Sequence, residues 1–308
     1  MNELEVAIIQ NFSVQSPSHP PPPPATGPRL LVSDEFSEKR GQELKKLLLG
    51  SMVELADQTG VSSLHITFPT EQDFKLITKA GLLPRIGQQF HWKNEGYDSF
   101  DAFLDELSSR KRKNIRKERE KALESGVKII TLTGDEISSQ HWDAFYRFYR
   151  LTTDRKWGQA YLSRTFFDIL SERMGEHIVL IMGEENGELV CGALNLLGGN
   201  TLFGRNWGTI VPYPMLHFEI CYYQAIDFAI KHKLNWVEAG AQGMHKIQRG
   251  YLPQKTFSAH WIADQGFRDA VERYLDQERY AIEEDLENLS ELGPFKVTEK
   301  KPLKDLSS

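Results

Sequence analysis

Residues 236–253 read WVEAGAQGMHKIQRGYLP, an apolar strand that runs into a polar, glycine-containing loop. Gly240 and Gly243 allow sharp backbone turns and a close approach to a ligand. The polar side chains of the stretch are Glu238, Gln242, His245, Lys246, Gln248, Arg249 and Tyr251. Because ligands commonly bind where loops leave the carboxyl ends of strands in α/β sheets, the stretch predicts a functional site. The alternative interpretation is an ordinary solvated turn.

Composition places the chain among ordinary globular proteins. Of its residues, 40% are hydrophobic and 26% are charged. Its length of 308 residues is enough for two domains or one duplicated α/β unit. A net charge of −6 argues against bulk binding of nucleic acid, DNA included, by the whole surface and confines any polyanion site to a local patch. The cysteines, Cys191 and Cys221, lie in apolar settings typical of core thiols, and no ligand spacing predicts a metal site. With no membrane-spanning apolar run and an acidic N-terminus that lacks signal-peptide features, a cytoplasmic location is expected.

Proline, glycine and changes of pattern divide the chain into four predicted segments. Residues 1–28 contain SPSHPPPPPATGP and are expected to be a disordered, extended segment without chemistry. Residues 29–126 predict a partial α/β half that ends in a basic helix, and residues 127–293 predict a second half with a C-terminal helix. Residues 294–308 are expected to form a flexible, lysine-rich tail.

Hydrophobic periodicity predicts the elements of the first half. Strands are expected at residues 30–32, 63–68 and 85–94, and helices at 38–58, 71–80 and 98–126. Thr70 is the predicted N-cap of the second helix, and Gly81 follows its end.

The predicted helix over residues 98–126 carries charge where its apolar stripe should continue. Phe100, Phe103, Leu104 and Leu107 define the stripe, which extends at helical spacing to Lys111, Asn114, Ile115 and Ala122. Outward positions add further cations with little acid to balance them. We therefore expect an anion site, suited to the phosphates of a nucleotide, coenzyme A or tRNA, at Lys111, Arg112, Asn114, Arg116 and Lys117. The alternative is a solvated helix face.

The second half predicts a strand, two helices, three antiparallel strands, a helix and two further strands. The strands are expected at residues 127–132, 177–182, 189–197, 201–206, 235–237 and 256–263. Helices are expected around the aromatic run Trp142 to Tyr149, at 163–174 and at 215–232, and a last helix at 267–289. The aromatic run is interpreted as core. In the helix at 215–232, helical spacing places Glu219, Tyr223 and Asp227 on one face and His217, Cys221 and Gln224 on another.

This order of elements resembles the acyl-CoA N-acyltransferase (GNAT) fold. Residues 100–122 (FDAFLDELSSRKRKNIRKEREKA), 175–208, 216–253 and 258–264 (SAHWIAD) are similar to the bacterial predicted N-acyltransferases of the peptidogalycan biosynthesis/recognition family. The resemblance runs over residues 26–289 and extends, more distantly, to Fem-type peptidoglycan aminoacyl transferases and leucyl/phenylalanyl-tRNA-protein transferases. It implies an α/β, GNAT-like fold in tandem halves with the first half truncated. It also implies that the basic helix contacts a phosphorylated substrate and that the loop after Glu238 lines the acceptor cleft.

The chain departs from the expected patterns in three places. By this resemblance, the initial strands and helices of the first half are expected to be missing or replaced by the proline segment. The family loop commonly has an acid before the histidine, where this chain has Met244. The glycine-rich coenzyme A turn of simple GNAT enzymes does not precede the helix at residue 215, where the text is VPYPMLHFE.

The function implied is transfer of an acyl or aminoacyl group from acyl-CoA or aminoacyl-tRNA to an amine, with no tightly bound cofactor. The amine must lose a proton, and the carbonyl must be polarised. The candidate catalytic residues are His245 and Glu238 as bases and Tyr251 as proton donor; the candidate substrate-binding residues outside the basic helix are Asn206, His217, Glu219, Gln242, Lys246 and Arg249. The expected acceptor is a small or nucleotide-linked amine, cell-wall-related or otherwise phosphorylated, with tRNA as a further partner. The alternative is a non-catalytic protein that binds a nucleotide-linked anionic metabolite.

Overall fold

A computed structural model describes residues 24–155, 160–240 and 243–296. The described chain forms two compact units, one of residues up to 89 with 253–290 and the other of residues 90–252 with 291 onward. The predicted division at Gly126 is a different one, because it separates two GNAT-like halves of a repeat, and it stays a prediction. Gly126 itself lies inside the second compact unit. Most of the predicted segment 1–28 and tail 294–308, and Gln242 of the predicted site, lie outside the described residues.

Most predicted helices and strands are confirmed. In chain order the elements are α1 Glu38–Gln58, β1 Ser63–Thr67, α2 Glu71–Lys79, β2 Leu83–Lys93, α3 Phe100–Asp105, α4 Ser109–Leu123, β3 Lys128–Thr133, α5 Ser139–Arg155, α6 Arg164–Met174, β4 Ile178–Glu185, β5 Glu188–Gly198, β6 Thr201–Thr209, α7 Leu216–Phe218, α8 Gln224–Lys231, β7 Trp236–Glu238, β8 Leu252–Ile262 and α9 Gln265–Glu291. A π-helical turn, Glu219–Tyr223, joins α7 to α8, and a 3-10 helix, Met244–Arg249, follows β7. Within the described ranges, no helix is both long and apolar enough to cross a membrane.

The first unit packs α1 and α2 against β1 and β8, which pair antiparallel. Its core holds Leu30, Leu49, Ile66, Ile77, Leu82 and Ala259. The predicted strand at residues 30–32 is wrong. The backbone amides of Arg29 and Leu30 donate to the buried carboxylate of Asp73, at 2.8 and 3.4 Å, so they do not enter a strand ladder. Lys45 balances the charge of Asp73 at 2.8 Å.

A histidine pair joins β1 to β8 in the first unit. His65 lies directly opposite His260, and the two Nδ1 atoms are 2.7 Å apart. Each Nε2 atom is hydrogen-bonded to a serine hydroxyl, that of Ser63 at 2.9 Å and that of Ser258 at 3.0 Å. A single proton between the two Nδ1 atoms therefore lets all four ring nitrogens form hydrogen bonds. A proton on each of the two Nδ1 atoms would not, because two donors would then face each other.

Acidification should weaken this unit. Burial, with His65 and Arg85 nearby, lowers the pKa of His260 from 6.5 to about 4 despite the opposing charge of Glu278. The unfolded chain then binds more protons than the folded chain between pH 6.5 and 4, so the free energy of unfolding falls as the pH falls through that window. Urea unfolding at several pH values should show a shallower acid decline in His260→Gln than in wild type. The same slope in both proteins would contradict the prediction, and the exposed His177→Gln is the control.

The second unit contains the antiparallel strands β3, β4, β5 and β6 in that spatial order. β7 pairs parallel with β6 and antiparallel with β2. The parallel ladder has its last pair at Phe203 and Glu238, although β6 continues to Thr209. Glu238 is therefore placed where the ladder ends, and the polar loop begins there.

Aromatic residues of α5 and α6 cover one face of this sheet. Trp142, Phe145, Phe148, Tyr149 and Phe167 are buried together against β4 and β5. The interpretation of the aromatic run as core is therefore confirmed.

Gly208 on β6 fits under the backbone of α5, because a Cβ at this position would overlap the carbonyl group of Phe148. We expect Gly208→Ala to destabilise the protein by about 1–3 kcal/mol, because the helix backbone cannot move away without disturbing the aromatic core. Denaturant unfolding measures the effect. Gly175→Ala is the matched control, since nothing lies within 4 Å of its added Cβ; equal stabilities of the two variants would contradict the expectation.

The predicted helix over residues 98–126 is two helices. The amide of Ser108 donates to Pro294 O, and the amide of Lys296 donates to Glu106 O, both at 2.9 Å. The C-terminal segment thus supplies hydrogen-bond partners for the backbone between α3 and α4, and the helix is interrupted there. Leu107 is completely buried there. Residues 294–296, the first of the predicted flexible tail, are therefore paired with residues 106–108, and the flexibility of the tail stays a prediction.

Candidate active site

The π-helical turn Glu219–Tyr223 organises the polar centre of the second unit. π-helical turns are rare and frequently occur at functional sites. The turn follows Met215, whose φ of 64° places it in the left-handed region. Three of its side chains bind neighbouring elements. Glu219 and Tyr223 bind different residues of α4, and Tyr222 binds the 3-10 helix.

Arg119 of α4 binds two carboxylates. Its guanidinium donates to both oxygens of Glu219, at 2.9 and 3.1 Å, and to Asp227 at 2.7 Å. Gln224 donates a further hydrogen bond to Glu219 at 2.8 Å. Glu219 is completely buried, so its predicted role in substrate binding would require access that this arrangement does not offer.

Glu118, the preceding residue of α4, forms a second network. It accepts hydrogen bonds from Arg249 Nη2 at 2.9 Å and Nε at 3.1 Å, and another from the Tyr223 hydroxyl. Arg249 Nη1 donates to the carbonyl oxygen of His245 at 2.7 Å. The guanidinium of Arg249 also lies over the ring of Phe218, 3.5 Å from its centroid. Arg249 is buried and committed to these partners, so it does not present a free cation to a phosphate.

The inward face of α4 differs from the predicted one. Ile115 and Ala122 are buried as expected, but Asn114 is exposed, and Glu118 and Arg119 occupy the inward positions. The expectation that little acid balances the cations is also wrong for Arg112 and Arg116, because Asp105 and Asp101 of α3 bind them at 2.6 and 2.8 Å. Along the part of the chain that the structure describes, the cations of α4 without a carboxylate partner are Arg110, Lys111, Lys113, Lys117 and Lys121.

His245 lies on the exposed side of the 3-10 helix. Its Nε2 shares a hydrogen bond of 2.9 Å with the Tyr222 hydroxyl. Burial, together with the charges of Arg249 and Lys246, lowers the pKa of His245 below its ordinary value. The imidazole is therefore neutral near pH 7.

Aromatic rings line the wall beside His245. His217 contacts the rings of Trp207 and Tyr222, with centroids 5.4 Å apart in each case. Phe218 lies 5.5 Å from the ring of His245. The predicted residues His217 and His245 are thus brought to one aromatic wall. Asn206, which precedes Trp207, is half-buried on β6 opposite Leu194.

Glu238 provides the most perturbed carboxyl group of this region. Burial raises its pKa from 4.5 to about 7. Its Oε2 atom is buried and has no hydrogen-bond partner among the described residues, while Oε1 lies 3.8 Å from His91 Nδ1. Burial and the charge of Lys246 lower the pKa of His91 to about 4, so His91 is neutral near pH 7 and forms no ion pair with Glu238.

Two further predicted residues are turned inward. The Lys246 ammonium donates to Gly240 O at 2.7 Å, and burial lowers its pKa to about 8. Tyr251 is completely buried and donates to Tyr222 O at 3.2 Å, while burial raises its pKa well above 10. As placed, Tyr251 does not reach a leaving group and Lys246 does not reach a phosphate in solvent. Sequence reasoning missed Tyr222, His91, Glu118 and Arg119, whose roles depend on partners far away along the chain.

The residues that the structure describes contain no group of three or more His, Cys, Asp or Glu side chains able to hold a metal ion.

Comparison with solved structures shows which known proteins share the fold of this chain. The solved structures that share the fold include L-PGS from Bacillus licheniformis, with a TM-score of 0.53 and 11% identity over 76% of this chain and 79% of that one. They also include the C-terminal domain of a putative lysylphosphatidylglycerol synthetase from Agrobacterium fabrum, with a TM-score of 0.57 and 9% identity over 76% of each chain. FemX has a TM-score of 0.51 and 11% identity over 75% of this chain and 79% of that one. At such identities they show the fold alone, which is the mixed α/β, GNAT-like fold that the sequence predicts. No curated protein sequence matches the chain.

A family model extends the relationship to the sequence itself. The FemAB-like model, described as peptidoglycan biosynthesis/recognition, matches residues 18–297. This range includes both compact units and every residue of the candidate site. The protein therefore belongs to the FemAB-like family of peptidoglycan biosynthesis and recognition.

Proposed function

We propose that this protein is an N-acyltransferase of peptidoglycan-related chemistry in which Glu238 is the general base. The observation that carries the proposal is the carboxyl group at the end of β7, with a pKa of about 7 and a buried oxygen that no described group satisfies. A carboxylate with this pKa is a much better proton acceptor near neutral pH than an ordinary one. Pocket burial of an acid without a counter-charge is a typical feature of catalytic sites.

In the proposed reaction, Glu238 accepts a proton from the ammonium group of the acceptor. The free amine then attacks the carbonyl carbon of the donor, so that a C–N bond forms as the C–S bond of a thioester or the C–O bond of an aminoacyl ester breaks. The second amine proton is lost to the departing sulfur or oxygen, directly or through water. His245, neutral and exposed, suits hydrogen bonding to the acceptor, and the ring of His217 adds a wall that excludes water. We propose no proton transfer by Tyr251, because it is buried.

The outer face of α4 suits the phosphate groups of the substrates. Arg110, Lys111, Lys113 and Lys117 occupy its first turns and have no carboxylate partner in the described chain. Both donors considered, acyl-CoA and aminoacyl-tRNA, carry phosphates, and a nucleotide-linked amine acceptor would carry them too. Arg112 and Arg116 would have to leave Asp105 and Asp101 to take part.

A transfer assay tests the function. Purified protein is incubated with acyl-CoA or with aminoacyl-tRNA, each labelled in the acyl group, and with amine-bearing nucleotide-linked peptidoglycan precursors. The expected result is label in an amide bond to the acceptor with one of the two donors, and the donor that works identifies the class. Absence of amide product with both donors, together with tight binding of the precursor, would support the alternative of a non-catalytic binding protein.

A further inference from the structure

We infer that Glu118 is a positioning residue for His245, acting through Arg249 and Tyr223; this inference rests on the proposed function. Glu118 is on α4, and it lies 127 positions before His245 in the sequence, yet its carboxylate is linked to His245 by two short paths. Neither path involves Glu238.

The first path runs through Arg249. Its guanidinium uses Nε and Nη2 on Glu118 and Nη1 on the carbonyl oxygen of His245. One face of the guanidinium lies over the ring of Phe218. A bidentate carboxylate fixes the plane of a guanidinium. The hydrogen bond to His245 therefore has one direction, and the backbone of His245 is fixed with it.

The second path runs through the π-helical turn. Glu118 accepts a hydrogen bond from the Tyr223 hydroxyl, and the neighbouring Tyr222 shares a hydrogen bond with His245 Nε2. The first path thus holds the backbone of His245, and the second holds its ring. Two constraints that start from one carboxylate define the orientation of the imidazole.

His245 is an exposed residue whose ring is held on one side by the loop backbone. A Cβ placed on Gly243 would lie 2.9 Å from His245 Nδ1, so the ring rests directly against the Gly243 backbone. Small displacements of reacting groups can lower turnover by about a hundredfold. The loss of either path should therefore reduce catalysis without removing any group that touches the substrate.

Two substitutions separate positioning from simple charge balance. Glu118→Asp keeps the negative charge beside Arg249 but withdraws it by one methylene, and Glu118→Gln removes the charge. If Glu118 only balances Arg249, the aspartate variant should turn over like wild type. If it positions His245, both variants should show a kcat roughly 10- to 100-fold lower with the KM for the acceptor within about twofold. Glu120→Gln, an exposed site on the same helix, is the control and should behave like wild type.

A measurement independent of turnover uses the imidazole signals of His245. In wild type, the charge of Arg249 contributes to its low pKa. We expect NMR titration of Glu118→Asp and Glu118→Gln to show a changed pKa and changed ring chemical shifts for His245, with neither changed in Glu120→Gln. Wild-type His245 signals in folded Glu118→Asp would overturn the inference. Because this readout needs no substrate, it decides the inference even if the wild-type protein transfers no acyl group.

Discussion

Replacement of Glu238 by glutamine should lower kcat for acyl transfer by about 10²- to 10⁴-fold, the usual contribution of a general base. The amide has the shape of the carboxyl group but cannot accept the proton of the amine. The pH profile of kcat/KM in wild type should rise with a midpoint near 7, which is the pKa of Glu238. Steady-state assays of Glu238→Gln and of the exposed Glu188→Gln measure the effect. Full activity in Glu238→Gln would remove Glu238 from the mechanism.

Glu238→Gln, although it should lower kcat, should not lower the stability of the fold. The folded protein raises the pKa of Glu238 from 4.5 to about 7, so between these pH values the folded state binds more protons than the unfolded state. The free energy of unfolding therefore falls as the pH rises through this window. Glutamine is neutral at every pH and escapes the penalty, so Glu238→Gln should be at least as stable as wild type at pH 8. Urea unfolding at pH 5 and pH 8 distinguishes a lost base from a damaged fold.

Replacement of Arg119 by methionine should cost about 3–5 kcal/mol of stability, because it leaves a buried carboxylate without its counter-charge. Glu219 is completely buried, and Arg119 is its cationic partner among the described residues. The matched control is Arg116→Met on the same helix. Arg116 binds Asp101 at the surface, where such pairs contribute about 0–1 kcal/mol. Denaturant unfolding compares the two variants.

A second substitution shows whether the uncompensated charge is the cause. Adding Glu219→Gln to Arg119→Met removes the buried charge and should recover much of the lost stability. If the double variant is as unstable as Arg119→Met alone, lost packing against Phe100, over which Arg119 lies at 4.3 Å, explains the effect instead.

The sequence predicted the order of elements because apolar periodicity and capping residues are local signals. It placed the aromatic core of α5 correctly for the same reason. The inward face of α4 could not be extrapolated from Phe100–Leu107, because the pairing of residues 106–108 with residues 294–296 ends one helix and starts another. Each new helix has its own rotational phase, so the extended stripe pointed to Asn114 in place of Glu118.

The candidate site was predicted less well than the fold. The sequence pointed to Glu238, the last residue of β7, and to His245 in the glycine-containing segment that follows, and their roles stay predictions. The burial of Tyr251, Lys246 and Arg249 could not be found, because a polar residue in a loop is ordinarily exposed. Tyr251 donates to Tyr222 O in the π-helical turn, whose extra residue leaves no mark in the hydrophobic pattern. Lys246 and Arg249 have other partners, the Gly240 carbonyl oxygen and the Glu118 carboxylate.

That turn also affects how the chain can be aligned with others. An α-helix advances about 100° per residue, so a protein with one residue fewer between Leu216 and Lys231 would form an uninterrupted helix there. Its counterparts of Tyr222 and Tyr223 would then project in different directions. A single-position gap in this segment would consequently mark relatives whose tyrosines are not structurally equivalent to Tyr222 and Tyr223, even where the aligned residues are identical.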